Sequence, residues 1–222
     1  MERPQDIAIL SSNTTRTRSA VVVIILFHLV GLAGFFAPGL RPLFLQIVPY
    51  HLLLMLLVII FSHQPVNTRF MAFMLLIWVL GFIAEWIGIH TAWLFGSYTY
   101  GKVLGIKVSG VPLMIGVNWL LLIYSTGVLM QRTRIKKSWI RVTAGALILV
   151  LLDRLIEPVA IRFNYWQWAN NMIPVKNYVC WFIVSGLLLF VFECFQFKKQ
   201  SMVGTVLLVA QFIFFAVLIF LP

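Results

Sequence analysis

Apolar residues run along this chain in blocks of about twenty, separated by short polar segments. The blocks fall near 20–37, 43–61, 70–90, 112–130, 139–160, 175–196 and 202–221. A helix rises about 1.5 Å per residue, so roughly 20 apolar residues cover the hydrocarbon core of a bilayer. The pattern predicts an all-α, polytopic bundle of about seven transmembrane helices. No low-complexity stretch or linker divides it, so residues 1–222 are expected to form a single membrane domain.

Composition agrees with the pattern. The chain is 62% hydrophobic and 10% charged, against about a quarter charged for an ordinary soluble domain, which excludes a soluble globular protein. Met1–Ser19 is charged and precedes a full-length apolar run, so it reads as a short cytoplasmic tail and not as a cleaved export signal.

The net charge of +11 does not point to nucleic acid, because a binder gathers its basic residues on one water-facing surface. Here they sit in the short segments. Arg3, Arg16, Arg18, Arg69, Arg132, Arg134, Lys136, Lys137, Arg141, Lys198 and Lys199 fall on one side of the alternating spans, and Arg41, Lys102, Lys107, Arg162 and Lys176 on the other. That asymmetry predicts a cytoplasmic N-terminus and an outward C-terminus in the cell membrane. Cys180 and Cys194 share one predicted helix about 21 Å apart along its axis and are not expected to bridge.

Four acidic residues, Glu85, Asp153, Glu157 and Glu193, fall inside predicted spans, where an ionisable group costs several kcal/mol unless paired or hydrated. Glu2 and Asp6 lie in the tail. Glu85 and Asp153 come at similar heights, roughly 21–22 Å from the cytoplasmic end of their spans. Val150, Asp153, Arg154 and Glu157 make an i, i+3, i+4, i+7 stripe expected to face the bundle interior. Pro158 disfavours helical geometry at Glu157 and predicts a bent or hydrated end to that span. A purely structural reading pairs Arg154 with Glu157 or Glu85, but one arginine cannot neutralise three carboxylates. A carboxyl left unpaired away from water favours its protonated form and can act as a general acid. Glu193, near Lys198 and Lys199, can snorkel to the interface and reads as topological.

Aromatic residues crowd the outer ends of spans 3–6: Trp86, Trp93, Tyr98, Tyr100, Trp119, Tyr165, Trp166, Trp168, Tyr178 and Trp181. An interfacial belt would decorate both ends, and Trp139 is the lone tryptophan at the inner ends, so the excess suggests a pocket wall as well. Asn118 and Asn177 open two spans on this side, where an amide can hold water or glue helices together. His28 and His51 are isolated within their spans, and no His pairing at ligand spacing supports a metal. A weak internal echo is visible. Glu85, Tyr98, Tyr100, Pro112 and Trp119 are followed by Glu157, Trp166, Trp168, Pro174 and Trp181, as if spans 3–4 and 5–6 were two parallel copies of one hairpin.

Two stretches, AEWIGIHTAWLFGSYTYGKVLGIKVSGVPLMIGVNW (84–119) and LLDRLIEPVAIRFNYWQWANNMIPVKNYVCWF (151–182), resemble the motifs of the carotenoid biosynthesis family of CruF-type carotenoid 1,2-hydratases. The remaining spans agree with that family in hydrophobicity alone. By position, the family's signature corresponds to Glu85, Gly88, Phe95, Gly96, Tyr98, Tyr100, Gly110, Pro112, Trp119, Asp153, Glu157, Pro158, Trp166, Trp168, Pro174, Asn177 and Trp181. Ala92-Trp93-Leu94 departs from it, since many members carry Gly-x-Pro there.

The resemblance implies addition of water to the terminal double bond of an acyclic carotenoid end, such as that of γ-carotene or lycopene. It implies no cofactor, since hydration is redox-neutral, and a substrate that enters sideways from the lipid. In that reading Glu85, Asp153 and Glu157 are the catalytic carboxyls. Tyr98, Tyr100, Asn118, Trp119, Arg154, Trp166, Trp168, Asn177 and Trp181 are the candidate substrate-binding residues. A proton-coupled transporter, or a non-catalytic lipid- or pigment-binding protein, is the competing expectation, because intramembrane carboxylates also mark proton relays.

Overall fold

Seven α-helices carry most of the described chain: α1 (Pro4–Phe36), α2 (Arg41–Ser62), α3 (Thr68–Thr91), α4 (Leu113–Arg132), α5 (Ser138–Arg162), α6 (Val175–Cys194) and α7 (Val203–Ile219). The computed structural model describes residues 4–221, with side chains from Thr14 onward; Glu2, Arg3 and the Asp6 side chain lie outside the described residues. The apolar blocks set the helices to within a few residues, except that α1 begins at Pro4 and not near residue 20. α5 also continues through Pro158 to Arg162, so the expected break at Glu157–Pro158 does not end the helix.

The helices run alternately up and down. At one end the α1–α2 turn meets the last turns of α5 and α7: Phe35 packs on Phe163, and Arg162 donates to the carbonyls of Leu218 and Leu221. At the opposite end the α2–α3 and α6–α7 connections meet the end of α4. There the Gln64 N–H donates to Gln200 Oε1, and Arg132 donates to the Gln200 carbonyl. α4 occupies the centre and packs against α2, α3, α5, α6 and α7, with most of its residues buried.

Around it the outer faces carry large apolar side chains in the open, among them Val22, Leu57, Leu75, Leu151 and Leu187. An apolar exterior on this scale is stable against lipid and not against water. Among the described residues, five helices are long and apolar enough to cross a membrane, α1 (from Thr14), α2, α3, α4 and α6. α7 is shorter, and α5 carries four charged residues along its middle and last turns. The architecture is that of a helical membrane protein.

Two short antiparallel ribbons add to the all-α expectation. β2 (Lys107–Val108) folds back on β3 (Val111–Pro112) within the α3–α4 connection. β1 (Tyr98–Tyr100) pairs with β4 (Trp166–Trp168), which joins the α3–α4 loop to the α5–α6 loop. Its register sets Tyr98 opposite Trp168 and Tyr100 opposite Trp166. Alternate residues of a strand share a face, so all four aromatic side chains project to one side, toward the helices below.

Candidate active site

Glu85 lies on α3 less than two turns before the helix ends and is buried. Three donors reach it. The Tyr98 and Tyr100 hydroxyls donate to Oε2 at 2.5 and 2.7 Å, and Trp119 Nε1 donates to Oε1 at 2.9 Å. Two missing side chains allow this approach. A Cβ on Gly88 would lie 2.7 Å from the Tyr98 hydroxyl, and one on Gly81 would lie 2.6 Å from Trp119 Cβ. Burial and the adjacent Glu85 carboxylate push both phenols well above their ordinary pKa, which keeps them protonated as donors.

α3 closes at Ala92 with φ 52, a left-handed cap that glycine adopts without steric cost. The position where this chain departs from the family pattern is therefore one whose backbone favours the glycine it lacks. Three residues on, Phe95 also takes a left-handed φ of 64, unusual for a bulky side chain, and its buried ring walls the site.

Glu157 lies on α5 and has a comparable nest built from the other loop. Trp166 Nε1 and Trp168 Nε1 both donate to Oε2, at 3.1 and 2.8 Å. Asn177, in the first turn of α6, directs its amide nitrogen to Glu157 Oε1 at 3.2 Å and to Asp153 Oδ2 at 2.8 Å. One amide thus bridges two acids spaced i, i+4 on the same helix. The other oxygen of Asp153, Oδ1, is buried and has no hydrogen-bond partner. Trp119 and Trp181 stack face to face, with ring centroids 4.4 Å apart, and tie the two nests together.

A cavity of about 30 Å³ opens between the nests. Glu85 and Glu157 both line it, with Tyr98, Tyr100 and Asn118. Trp119, Trp166, Trp168, Asn177 and Trp181 complete its walls. Beside it lies an apolar cavity of about 360 Å³ that reaches toward α1, α2 and α7, and the two share Ile115, Asn118, Ile156 and Trp166 as common walls. Asn118 therefore faces both spaces, and its amide makes no hydrogen bond to another described residue.

Two of the residues expected at the site lie elsewhere. Asp153 is fully buried behind Asn177 and does not line the cavity. Arg154 is exposed, with its guanidinium donating to the Tyr178 hydroxyl at 3.0 Å and lying over that ring. The expected inward stripe is corrected accordingly. Asp153 and Glu157 share the inner face, but each residue turns a helix by about 100°, so Arg154 swings outward and none of the three carboxyls gains an ion pair from it. Glu193 pairs with Arg141 at the opposite end and not with Lys198 or Lys199.

The sequence reading missed the loop-to-loop ribbon, although Tyr-x-Tyr and Trp-x-Trp carry the period-2 alternation of strands. It also treated His28 and His51 as isolated, whereas their rings meet edge to face at 4.9 Å beside the large cavity. Among the described residues no group of three or more His, Cys, Asp and Glu is arranged to hold a metal ion.

Comparison with known proteins bears on this arrangement. Residues 46–221 match the family described as "Carotenoid biosynthesis protein". The bisanhydrobacterioruberin hydratase of Haloarcula japonica is 25% identical over 200 residues, covering 84% of this chain and 68% of the relative. No solved structure matches the chain.

Proposed function

The chain belongs to the carotenoid biosynthesis protein family, and we propose that it is a membrane-embedded carotenoid 1,2-hydratase, a hydro-lyase that adds water to the terminal double bond of an acyclic carotenoid end. The observation that carries this reading is one small cavity bordered by two buried carboxyls, Glu85 and Glu157, next to an apolar cavity of about 360 Å³. The hydratase name of the distant relative supports the same reaction class.

The donors around each acid suggest a division of labour. Glu85 has its two oxygens satisfied by two phenols and an indole, and indole can only donate, a set that suits an anion. Glu157 shares Asn177 with Asp153, and two acids this close in a low-dielectric site favour holding one proton between them. The orphan Oδ1 of Asp153 and the longer 3.2 Å contact at Glu157 Oε1 leave room for that proton.

In this mechanism the alkene's π pair takes the proton from Glu157 at its less substituted carbon, forming a C–H bond and a tertiary carbocation. The Glu85 carboxylate and the Trp119 and Trp181 faces stabilise the cation; cation–π attraction contributes about 0.5–2 kcal/mol per ring. A water held by Asn118 forms the C–O bond, and its proton returns to the Glu157–Asp153 pair. The sum is one added water, with no change of oxidation state.

All seven helices cross the cell membrane in this reading, with the basic end and the N-terminus cytoplasmic and the site in the outer half. The substrate enters from the lipid between α1 and α2, where exposed Phe27 and Tyr50 border the large cavity. The test is expression in cells that accumulate lycopene or γ-carotene, followed by pigment mass. A product heavier by one water, about 18 Da for this reaction class, is expected, and it should vanish with Glu157→Gln. Unchanged pigment with the wild-type protein refutes the proposal in favour of a pigment-binding or transport role.

A further inference from the structure

Arg154 differs from the other arginines of α4 and α5. Arg141 pairs with Glu193, and Arg132 and Arg162 donate to backbone carbonyls where the helices end. Arg154 instead stands exposed on the outer surface of α5, and its described hydrogen bond goes to the Tyr178 hydroxyl at 3.0 Å. The acids nearest to it in sequence, Asp153 and Glu157, are buried on the inner face. A guanidinium offers five N–H donors, so most of its donors and its whole charge are unmet within the described residues. A cation facing hydrocarbon is unfavourable unless it reaches an anion or the headgroup layer.

Its height and its surroundings say which anion. Tyr178 comes three residues after Val175 opens α6, about 5 Å along the axis, so the guanidinium that meets its hydroxyl lies near the ribbon end of the bundle. From there a seam between the antiparallel α5 and α6 runs toward the middle of the bundle. Val150 and Leu147 follow Arg154 down one side, and Phe182 and Gly186 follow Tyr178 down the other, all at least partly exposed. The seam stays open at Gly186, where a Cβ would meet nothing nearer than Ala146 Cβ at 4.0 Å. From Tyr178 to Gly186 is about 12 Å of helix, most of the roughly 15 Å that one leaflet contributes to the hydrocarbon core.

We propose that Arg154 and Tyr178 bind the phosphate of an anionic phospholipid in the leaflet at the ribbon end, with one acyl chain lying in the α5–α6 seam. The planar guanidinium matches two phosphate oxygens, and the Tyr178 hydroxyl holds it in place. The described carboxyls are buried or, at Glu193, paired with Arg141. None is free to receive a choline or ethanolamine ammonium, so a lipid without its own cation is preferred. The site needs α5 and α6 to cross the bilayer and does not depend on the hydratase chemistry.

The test uses the full chain, stripped of lipid in detergent, and counts bound lipids by native mass spectrometry during titration with dioleoylphosphatidylglycerol. Dioleoylphosphatidylcholine, dioleoylglycerol and inorganic phosphate are the comparisons. Phosphatidylglycerol is expected to fill one site about tenfold more tightly than dioleoylglycerol, the scale of a charge-assisted hydrogen bond. Arg154→Gln should lose that one bound lipid, and Tyr178→Phe should weaken it about threefold. The basic residues at the opposite end also attract anionic lipid, so Lys136→Gln combined with Lys137→Gln is the control and should keep the site. Should Arg154→Gln not fold, as read by its Tm, Arg154→Lys, which keeps the charge and loses the fork, should weaken the site severalfold. Overturning results are an unchanged lipid count in the Arg154 variant, equal binding of dioleoylglycerol, or inorganic phosphate competing as well as the lipid. A change of oligomeric mass in Arg154→Gln without a change in lipid binding overturns it too, in favour of an acidic protein partner.

Discussion

Glu85 and Glu157 occupy matching places in two similar hairpins, yet their surroundings differ in kind. Glu85 stands alone among two phenols and an indole, with both oxygens occupied. Glu157 takes two indoles on one oxygen and, on the other, half of an amide that it shares with Asp153. Each hairpin buries one glutamate, and the additional acid Asp153 in the second is what makes the two chemically unequal. A nest of donors with a lone carboxyl holds a charge, whereas a bridged pair of carboxyls can store and release a proton. An alkene hydratase needs both functions facing one space.

The comparison predicts which substitutions separate the two nests. The largest effect is expected from Glu157→Gln, which removes the proposed donor: hydration should fall at least about 100-fold, within the range of general acid catalysis, with carotenoid binding retained. Glu85→Gln should lower the rate by about 10²-fold through loss of the facing negative charge. Its amide can turn its oxygen to Trp119 and its NH₂ to the two phenol oxygens, so the fold should survive. Pigment turnover in membranes measures both, and equal full activity of either variant would remove that nest from the mechanism.

An intermediate effect is expected from Asp153→Asn. Asp153 does not border the cavity, so it acts through Glu157 as a positioning residue. The variant should lose roughly tenfold in kcat with little change in KM, and its pH–rate profile should shift, since the pair's shared titration is replaced by that of a lone Glu157. Its Tm should hold or rise, because the amide removes one of two buried acids that sit i, i+4 on one helix and share a single amide donor. A change in Tm without a change in pH profile would make Asp153 purely structural. The smallest effect belongs to Tyr98→Phe, which removes one of three donors to Glu85. About a tenfold loss in rate or less is expected, with the loss in kcat and not in KM if the hydrogen bond strengthens as the cation forms.

Much of this was legible in residue order. The blocks at 70–90, 112–130 and 175–196 became helices at Thr68–Thr91, Leu113–Arg132 and Val175–Cys194, because a run of about twenty apolar residues is a local property that already matches a helix of spanning length. The acids stood out for the same reason, each being costly where it occurs. The echo between the two hairpins was visible as well, with Trp119 and Trp181 each seven residues after a proline. Their stacking at 4.4 Å was not, since no rule within either segment says that the two will meet.

Taken by itself, the order of residues determined the helices, their lengths except that of α1, the end of the bundle that gathers the aromatics and the small set of buried acids, because each follows from hydropathy and spacing within some twenty-five residues. Only the tertiary structure decided that β1 pairs with β4, that Glu85 and Glu157 border one cavity while Asp153 stands behind Asn177, that Arg154 faces outward, and that His28, His51 and Gln211, from three helices, line one cavity. Those outcomes depend on the relative rotation and register of elements up to 183 residues apart, as 211 minus 28 gives for the outermost pair. A shift of one residue turns a helix by about 100° and reverses the face of a strand, so a side chain's partners are set by packing between elements and not by its place within one.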